Sequence, residues 1–81
     1  MLIIKVLGPG CANCQKVEAA AKNAVASMGV AAEITKVTNY ADMMAYNILA
    51  TPGLVINEKL VAAGRIPKES EVMTWIANAL G

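Results

Sequence analysis

The sequence predicts an α/β fold, a mixed four-stranded sheet with three helices in the order β-α-β-α-β-β-α, and three observations carry that prediction. Leu2 to Leu7 is a short continuous apolar run, rich in β-branched residues and closed by Gly8-Pro9-Gly10, the pattern of a strand covered on both faces. Ala12 to Met28 then places apolar residues at helical spacing, so a strand leads directly into a helix. Later, the apolar runs Leu54 to Ile56 and Leu60 to Ala63 are joined through Asn57-Glu58-Lys59 in the manner of a hairpin.

In the first helix Val17, Ala20, Ala21, Ala24, Val25 and Met28 form the apolar stripe, with Lys16, Lys22 and Asn23 off it and Gly29 as the stop. Ala31 to Val37 is the second strand, its apolar Ile34 and Val37 interleaved imperfectly with Glu33 and Lys36. Asn39 caps a short helix over about Tyr40 to Tyr46, with Asp42 in its first turn and Asn47 suited to a left-handed end. Thr51-Pro52-Gly53 leads into the hairpin, in which Glu58 is a poor turn residue. A closing helix begins near Pro67 or Lys68, carries Val72, Trp75, Ile76, Ala79 and Leu80 on one face, and ends at Gly81. The opening strand-helix-strand unit requires parallel pairing through a right-handed crossover, whereas the hairpin adds an antiparallel edge.

A chain of 81 residues holds one compact core, so residues 1–81 are expected to be a single domain. With no Phe and one Trp, that core is aliphatic. A net charge of +1, with both signs scattered, provides no stripe for phosphates, and nucleic acid is not an expected partner. The N-terminal apolar run is interrupted by Lys5 and stops at Gly8, short of the roughly 20 residues that cross a bilayer and short of a secretory signal. A cytoplasmic protein with no membrane partner, working as a monomer, is therefore expected.

Only two cysteines occur, Cys11 and Cys14, and a disulfide closing so small a ring removes little entropy from the unfolded chain. Their placement where a strand meets a helix has a chemical consequence instead. Free N–H groups of the first turn, with the helix dipole, favour thiolate at Cys11. Residues three apart on a helix lie at roughly 5 to 6 Å, within reach of a disulfide. Cys11 is thus the candidate nucleophile and Cys14 the thiol that resolves its mixed disulfide. A zinc site is opposed by the lack of histidine and of further cysteines. The alternative is a carrier that holds Cu(I) between the same two sulfurs; Pro9, where the motif of such carriers has methionine, and the extra helices count against it. No cofactor is required for the exchange reading.

The strand, the Cys-x-x-Cys, the helix and the later Thr51-Pro52 together resemble the thioredoxin superfamily. More narrowly, Lys5-Val6-Leu7-Gly8-Pro9-Gly10-Cys11-Ala12-Asn13-Cys14, Thr51-Pro52-Gly53-Leu54-Val55-Ile56-Asn57 and Gly64-Arg65-Ile66-Pro67 look like the small redox-active disulfide proteins, a minimal thioredoxin-like family. The resemblance covers nearly the whole chain. It implies a thioredoxin-like fold, thiol-disulfide oxidoreductase activity, disulfide-containing protein substrates and a thioredoxin-reductase-like electron donor. It also implies that Pro52 is cis and lies beside the cysteines, and that Ala12, Asn13, Thr51 and Pro52 form the substrate contact. The missing N–H of a proline leaves the Thr51 backbone available to an extended substrate; the residues alone leave open a trans proline starting an edge strand. The motif is neither the Cys-Gly-Pro-Cys of thioredoxins nor the Cys-Pro-Tyr-Cys of glutaredoxins, and the Gly-Gly with following acid that helps glutaredoxins hold glutathione is not evident after Ala63-Gly64.

Other side chains invite a role. Lys5, on a strand expected to be central, either influences the thiols by charge or, more ordinarily, extends its amine to solvent. Glu18 and Lys22 suit a solvated helix pair, and Trp75 suits core packing. Tyr40, Met43, Met44 and Tyr46 are candidates for an apolar surface flanking the cysteines, though packing explains most such side chains.

Overall fold

The structure, a computed structural model that describes residues 2–81, contains seven elements in the predicted order: β1 (Leu2–Leu7), α1 (Ala12–Met28), β2 (Ala32–Val37), α2 (Tyr40–Met44), β3 (Gly53–Ile56), β4 (Lys59–Ala63) and α3 (Glu69–Leu80). The sheet order is β2-β1-β3-β4, so β1 is central. It pairs in parallel with β2, Leu2 opposite Ala32 through Leu7 opposite Val37, and antiparallel with β3, which continues into β4 as a hairpin. A central strand buried on both sides has no polar face to show, which is why its sequence is nearly all apolar.

Alternation along β1 divides the interior in two. Leu2, Ile4 and Val6 join Val17, Ala21 and Ala24 of α1, Val72 and Ile76 of α3, and Leu54, Ile56 and Ala62 of the hairpin in the larger core. Leu7 points the other way, into a smaller core with Met43, Ile48 and Val55, against which Val37, Tyr46 and Leu60 pack. At the end of α1, Gly29 adopts φ 65° and its N–H reaches the carbonyls of Val25 and Ala26. That left-handed cap is the expected stop.

Four boundaries differ from the pattern-based expectation. Helix α2 ends at Met44 rather than Tyr46: the N–H groups of Tyr46 and Asn47 bond to the carbonyls of Met43 and Met44 at 3.1 and 3.0 Å, turning the chain, and Asn47 takes φ 57°. The hydroxyl of Tyr46 is held by partners distant in sequence, Lys5 and Glu58. The hairpin turn comprises only Asn57 and Glu58, with φ 49° and 68°, because Lys59 already pairs with Ile56. Strand β2 starts at Ala32, not Ala31. Helix α3 starts at Glu69, its N-cap Lys68 donating its backbone N–H to the Glu71 carboxylate at 3.0 Å. Among the described residues no helix is long and apolar enough to cross a membrane.

Candidate active site

The site stands at the end of β1. Beyond Leu7 the ladder lasts one more residue, Gly8 donating its N–H to the Val37 carbonyl at 3.0 Å. The chain then leaves the sheet through Pro9 and Gly10, the latter at φ 91°, and Cys11 becomes the N-cap of α1. Its Sγ accepts the N–H of Cys14 at 3.3 Å, and its carbonyl accepts that of Gln15 at 3.1 Å. A sulfur thus occupies the position normally filled by a capping oxygen.

Both thiols are free, Cys11 exposed and Cys14 buried. Hydrogen bonding from the Cys14 side chain, then from backbone N–H groups of Cys14 and Asn13, holds the Cys11 thiol below the ordinary cysteine range. Burial, followed by the same interaction seen from the donor's side, pushes Cys14 up. The two residues therefore differ in both access and ionisation, and in the same sense: the exposed sulfur is the more anionic.

Cys14 owes its depth to Gly8. A Cβ built on Gly8 would coincide with the Cys14 Sγ and lie 3.4 Å from the Cys14 Cβ and 3.9 Å from the Cα of Pro52. Gly8 has no positive φ, so what the position requires is space. Its bare Cα forms the slot in which the sulfur sits, with Pro52 as the next neighbour. The Thr51-Pro52 bond is cis, Pro52 is buried and Thr51 exposed. The Pro52 carbonyl accepts the Gly64 N–H at 2.8 Å, whereas among the described residues no backbone hydrogen bond uses Thr51.

One hollow reaches the cysteine pair and a second opens against Pro9. A small cavity of about 80 Å³ reaches Cys14 between Gly8, Glu18, Lys36 and Thr38. Burial pulls the Glu18 carboxyl up, but Lys36 and Lys22, at 3.2 and 3.3 Å, outweigh it and the net shift is downward. On the other side lies a groove of about 430 Å³ that runs from Pro9 past Met43 and Met44 to Thr51, lined by no charged residue. Leu49 stands at its rim 98 % exposed and Tyr40 74 %.

Pro52, selected from the sequence, thus stands next to the slot that holds Cys14, Thr51 shares a groove with Pro9, and Ala12 and Asn13 occupy the exposed first turn of α1. Tyr40, Met43 and Met44 line the groove. Tyr46 does not: its hydroxyl lies between Lys5 and Glu58, on the far side of α2. Lys5 takes neither expected course, since its amine is engaged by Glu58 at 2.6 Å and Tyr46 at 2.9 Å rather than by the thiols or by water alone. Sequence reasoning missed Gly8, which reads as loop punctuation beside Pro9 and Gly10, and Leu49, which no periodicity marks as exposed. Among the described residues no group of three or more His, Cys, Asp or Glu side chains could hold a metal ion.

Residues 2–77 match the family model described as Thioredoxin domain. The chain is 35 % identical over 72 residues to a thioredoxin of Methanothermobacter thermautotrophicus, covering 89 % of this chain and 94 % of that one. It is 33 % identical over 80 residues to a thioredoxin of Methanocaldococcus jannaschii, covering 99 % and 92 % respectively. In three dimensions it is similar to the germline-specific thioredoxin Deadhead of Drosophila melanogaster, with a TM-score of 0.63 and 18 % identity over 95 % of this chain and 79 % of that one; at that identity the likeness concerns the fold. With two cysteines meeting at the head of α1 and sequence relatives spanning almost its full length, the chain belongs to the thioredoxin family, the thiol-disulfide oxidoreductases of this fold.

Proposed function

We propose that this protein reduces disulfides in protein substrates through a Cys11–Cys14 dithiol. The Cys11 thiolate attacks one sulfur of the substrate disulfide, forming the Cys11–substrate bond and releasing the other sulfur as a thiolate that takes up a proton. Cys14 then gives up its proton and attacks the Cys11 Sγ. The second substrate thiol leaves, and the enzyme is left with the Cys11–Cys14 disulfide. Two electrons have passed from the dithiol to the substrate, and a thioredoxin-reductase-like donor returns them. Ala12, Asn13, Thr51 and Pro52 form the contact for an extended substrate segment, the Thr51 backbone offering its free hydrogen-bonding groups.

The observation that carries this reading is the asymmetry of the two sulfurs: one exposed and shifted toward thiolate, the other buried and shifted toward thiol. It orders the two attacks. Burial of Cys14 weighs against the Cu(I) carrier, because a metal-bound thiol must lose its proton and burial pushes this one up. The test is Cys14→Ser in the presence of an oxidised protein substrate. A covalent adduct through Cys11, released by added dithiol and absent from Cys11→Ser, is the expected result. If Cys14→Ser forms no adduct and the wild-type pair shows no two-electron transition in a thiol redox buffer, the exchange reading fails.

A further inference from the structure

At the solvent-facing edge of the smaller core lies a polar assembly that disulfide exchange itself does not use. Lys5 Nζ donates to the Tyr46 hydroxyl at 2.9 Å and to Glu58 Oε1 at 2.6 Å, and the Tyr46 hydroxyl donates to Glu58 Oε2 at 3.0 Å. The three side chains close a ring of hydrogen bonds, and the Lys5 amine also stands 5.6 Å from the centre of the Tyr46 ring. Each comes from a different part of the chain: the central strand, the turn after α2, and the β3–β4 turn.

Two further observations give this ring a purpose. Glu58 sits at φ 68°, a conformation costly for a residue with a Cβ and usually assigned to glycine in a two-residue hairpin turn. A side chain kept there is kept for what it reaches. Tyr46, in turn, opens the irregular stretch 46–52 that ends at cis Thr51-Pro52. Beyond its first two residues, whose N–H groups bond to Met43 and Met44, that stretch is held by little else: Ile48 is buried in the smaller core, and the Pro52 carbonyl bonds to Gly64. Helix α2, with five residues, is too short to be stable by itself.

We infer that Lys5, Tyr46 and Glu58 are positioning residues that fasten the 46–52 segment to the sheet and so set where Thr51 and Pro52 meet a protein substrate. The inference rests on the exchange reading above. It assigns the three residues no contact with the reacting sulfurs; they act through the loop. Docking of a polypeptide along Thr51 therefore depends on the ring, whereas attack by Cys11 on a small disulfide that does not need the loop is independent of it.

The experiment compares wild type with Tyr46→Phe, which keeps the ring and removes the hydroxyl, and with Glu58→Gln, at a side chain 65 % exposed and so tolerant of substitution. Reduction of insulin is measured with dithiothreitol as donor, the second-order reaction with dithiodipyridine is measured separately, and amide exchange is followed at Tyr46 and Asn47, whose N–H groups bond to the carbonyls of Met43 and Met44. For both variants KM for insulin rises roughly three- to tenfold, the loss of one or two hydrogen bonds to charged groups, while kcat and the dithiodipyridine rate stay at wild-type values and exchange at Tyr46 and Asn47 quickens. Unchanged exchange at these two amides, or a dithiodipyridine rate that falls as far as the insulin reaction, overturns the assignment. Should the wild type reduce neither disulfide, the exchange chemistry fails instead, and unaltered amide exchange would separately reject the fastening.

Discussion

The two faces of the sheet are held by different means. On one, α1 and α3 bury eleven residues in a continuous aliphatic layer. On the other, four buried residues lie beneath a five-residue helix and an irregular loop, and hydrogen bonds between charged groups and a phenol supplement them. The first arrangement suits a part that must stay fixed, because apolar burial on that scale supplies most of a small domain's stability. The second suits a part that must be placed accurately yet receive another chain. Cys11 and Cys14 hang from the first face through α1, and Thr51-Pro52 hangs from the second.

The largest expected effect distinguishes the faces directly. Ile76→Ala, in the larger core, lowers the free energy of unfolding by about 2–5 kcal/mol, seen as a shifted urea midpoint and a loss of protection at every slowly exchanging amide. Ile48→Ala costs about 2 kcal/mol, at the low end of that range, and exposes the bonded amides of Tyr46 and Asn47 ahead of the rest. Uniform loss of protection in both variants would mean that the two faces open as one.

Next in size is Gly8→Ala, at the point where the faces meet. The added methyl occupies the Cys14 sulfur slot, so Cys14 is displaced and the second attack slows by up to about 100-fold, while first attack by Cys11 is little altered. Quenched-flow measurement of the mixed disulfide checks this; an unchanged lifetime would show that the slot does not set the position of Cys14. A smaller effect follows acidification. Hydrogen bonds from Lys5 and Tyr46 hold the Glu58 carboxyl below its ordinary value, so its contribution is complete above the unfolded pKa of about 4.3 and disappears as the pH falls through the lower folded one. Lys5, raised by the same partner, stays protonated across that interval. The bonded amides of Tyr46 and Asn47 should therefore lose protection below about pH 4 while those of α1 persist, as exchange measured across that interval would record. Smallest is Glu18→Gln on the larger face, a barely measurable shift of the urea midpoint that vanishes at high salt, because its lysine partners are 62 % and 59 % exposed.

Much of the first face was legible in the sequence, and much of the second was not, for a physical reason. The stripe from Val17 to Met28, the Gly29 stop and the continuous run of β1 record burial against a large apolar layer, and such layers impose periodicity. Cys11 and Cys14 were legible from their spacing alone. By contrast, Tyr46 finds its partners at positions 5 and 58, and no local pattern encodes contacts that distant. Counting its ring as helical extended α2 by two residues. Glu58 read as a misplaced turn residue because its compensation lies across the sheet. Gly8 was obscured by Pro9 and Gly10, since a glycine required for room and one required for a turn look alike in a sequence.

A four-stranded sheet that does not close has two open borders, here β2 and β4. Such borders can anneal to any extended chain. Exposed Glu33 and Lys36 on β2 and Lys59 on β4 make that annealing unfavourable, since a strand added at either border would have to pack beside charge. The molecule thus discourages polymerisation along its flanks, and a polypeptide bound for the proposed exchange at Cys11 would meet no competing edge.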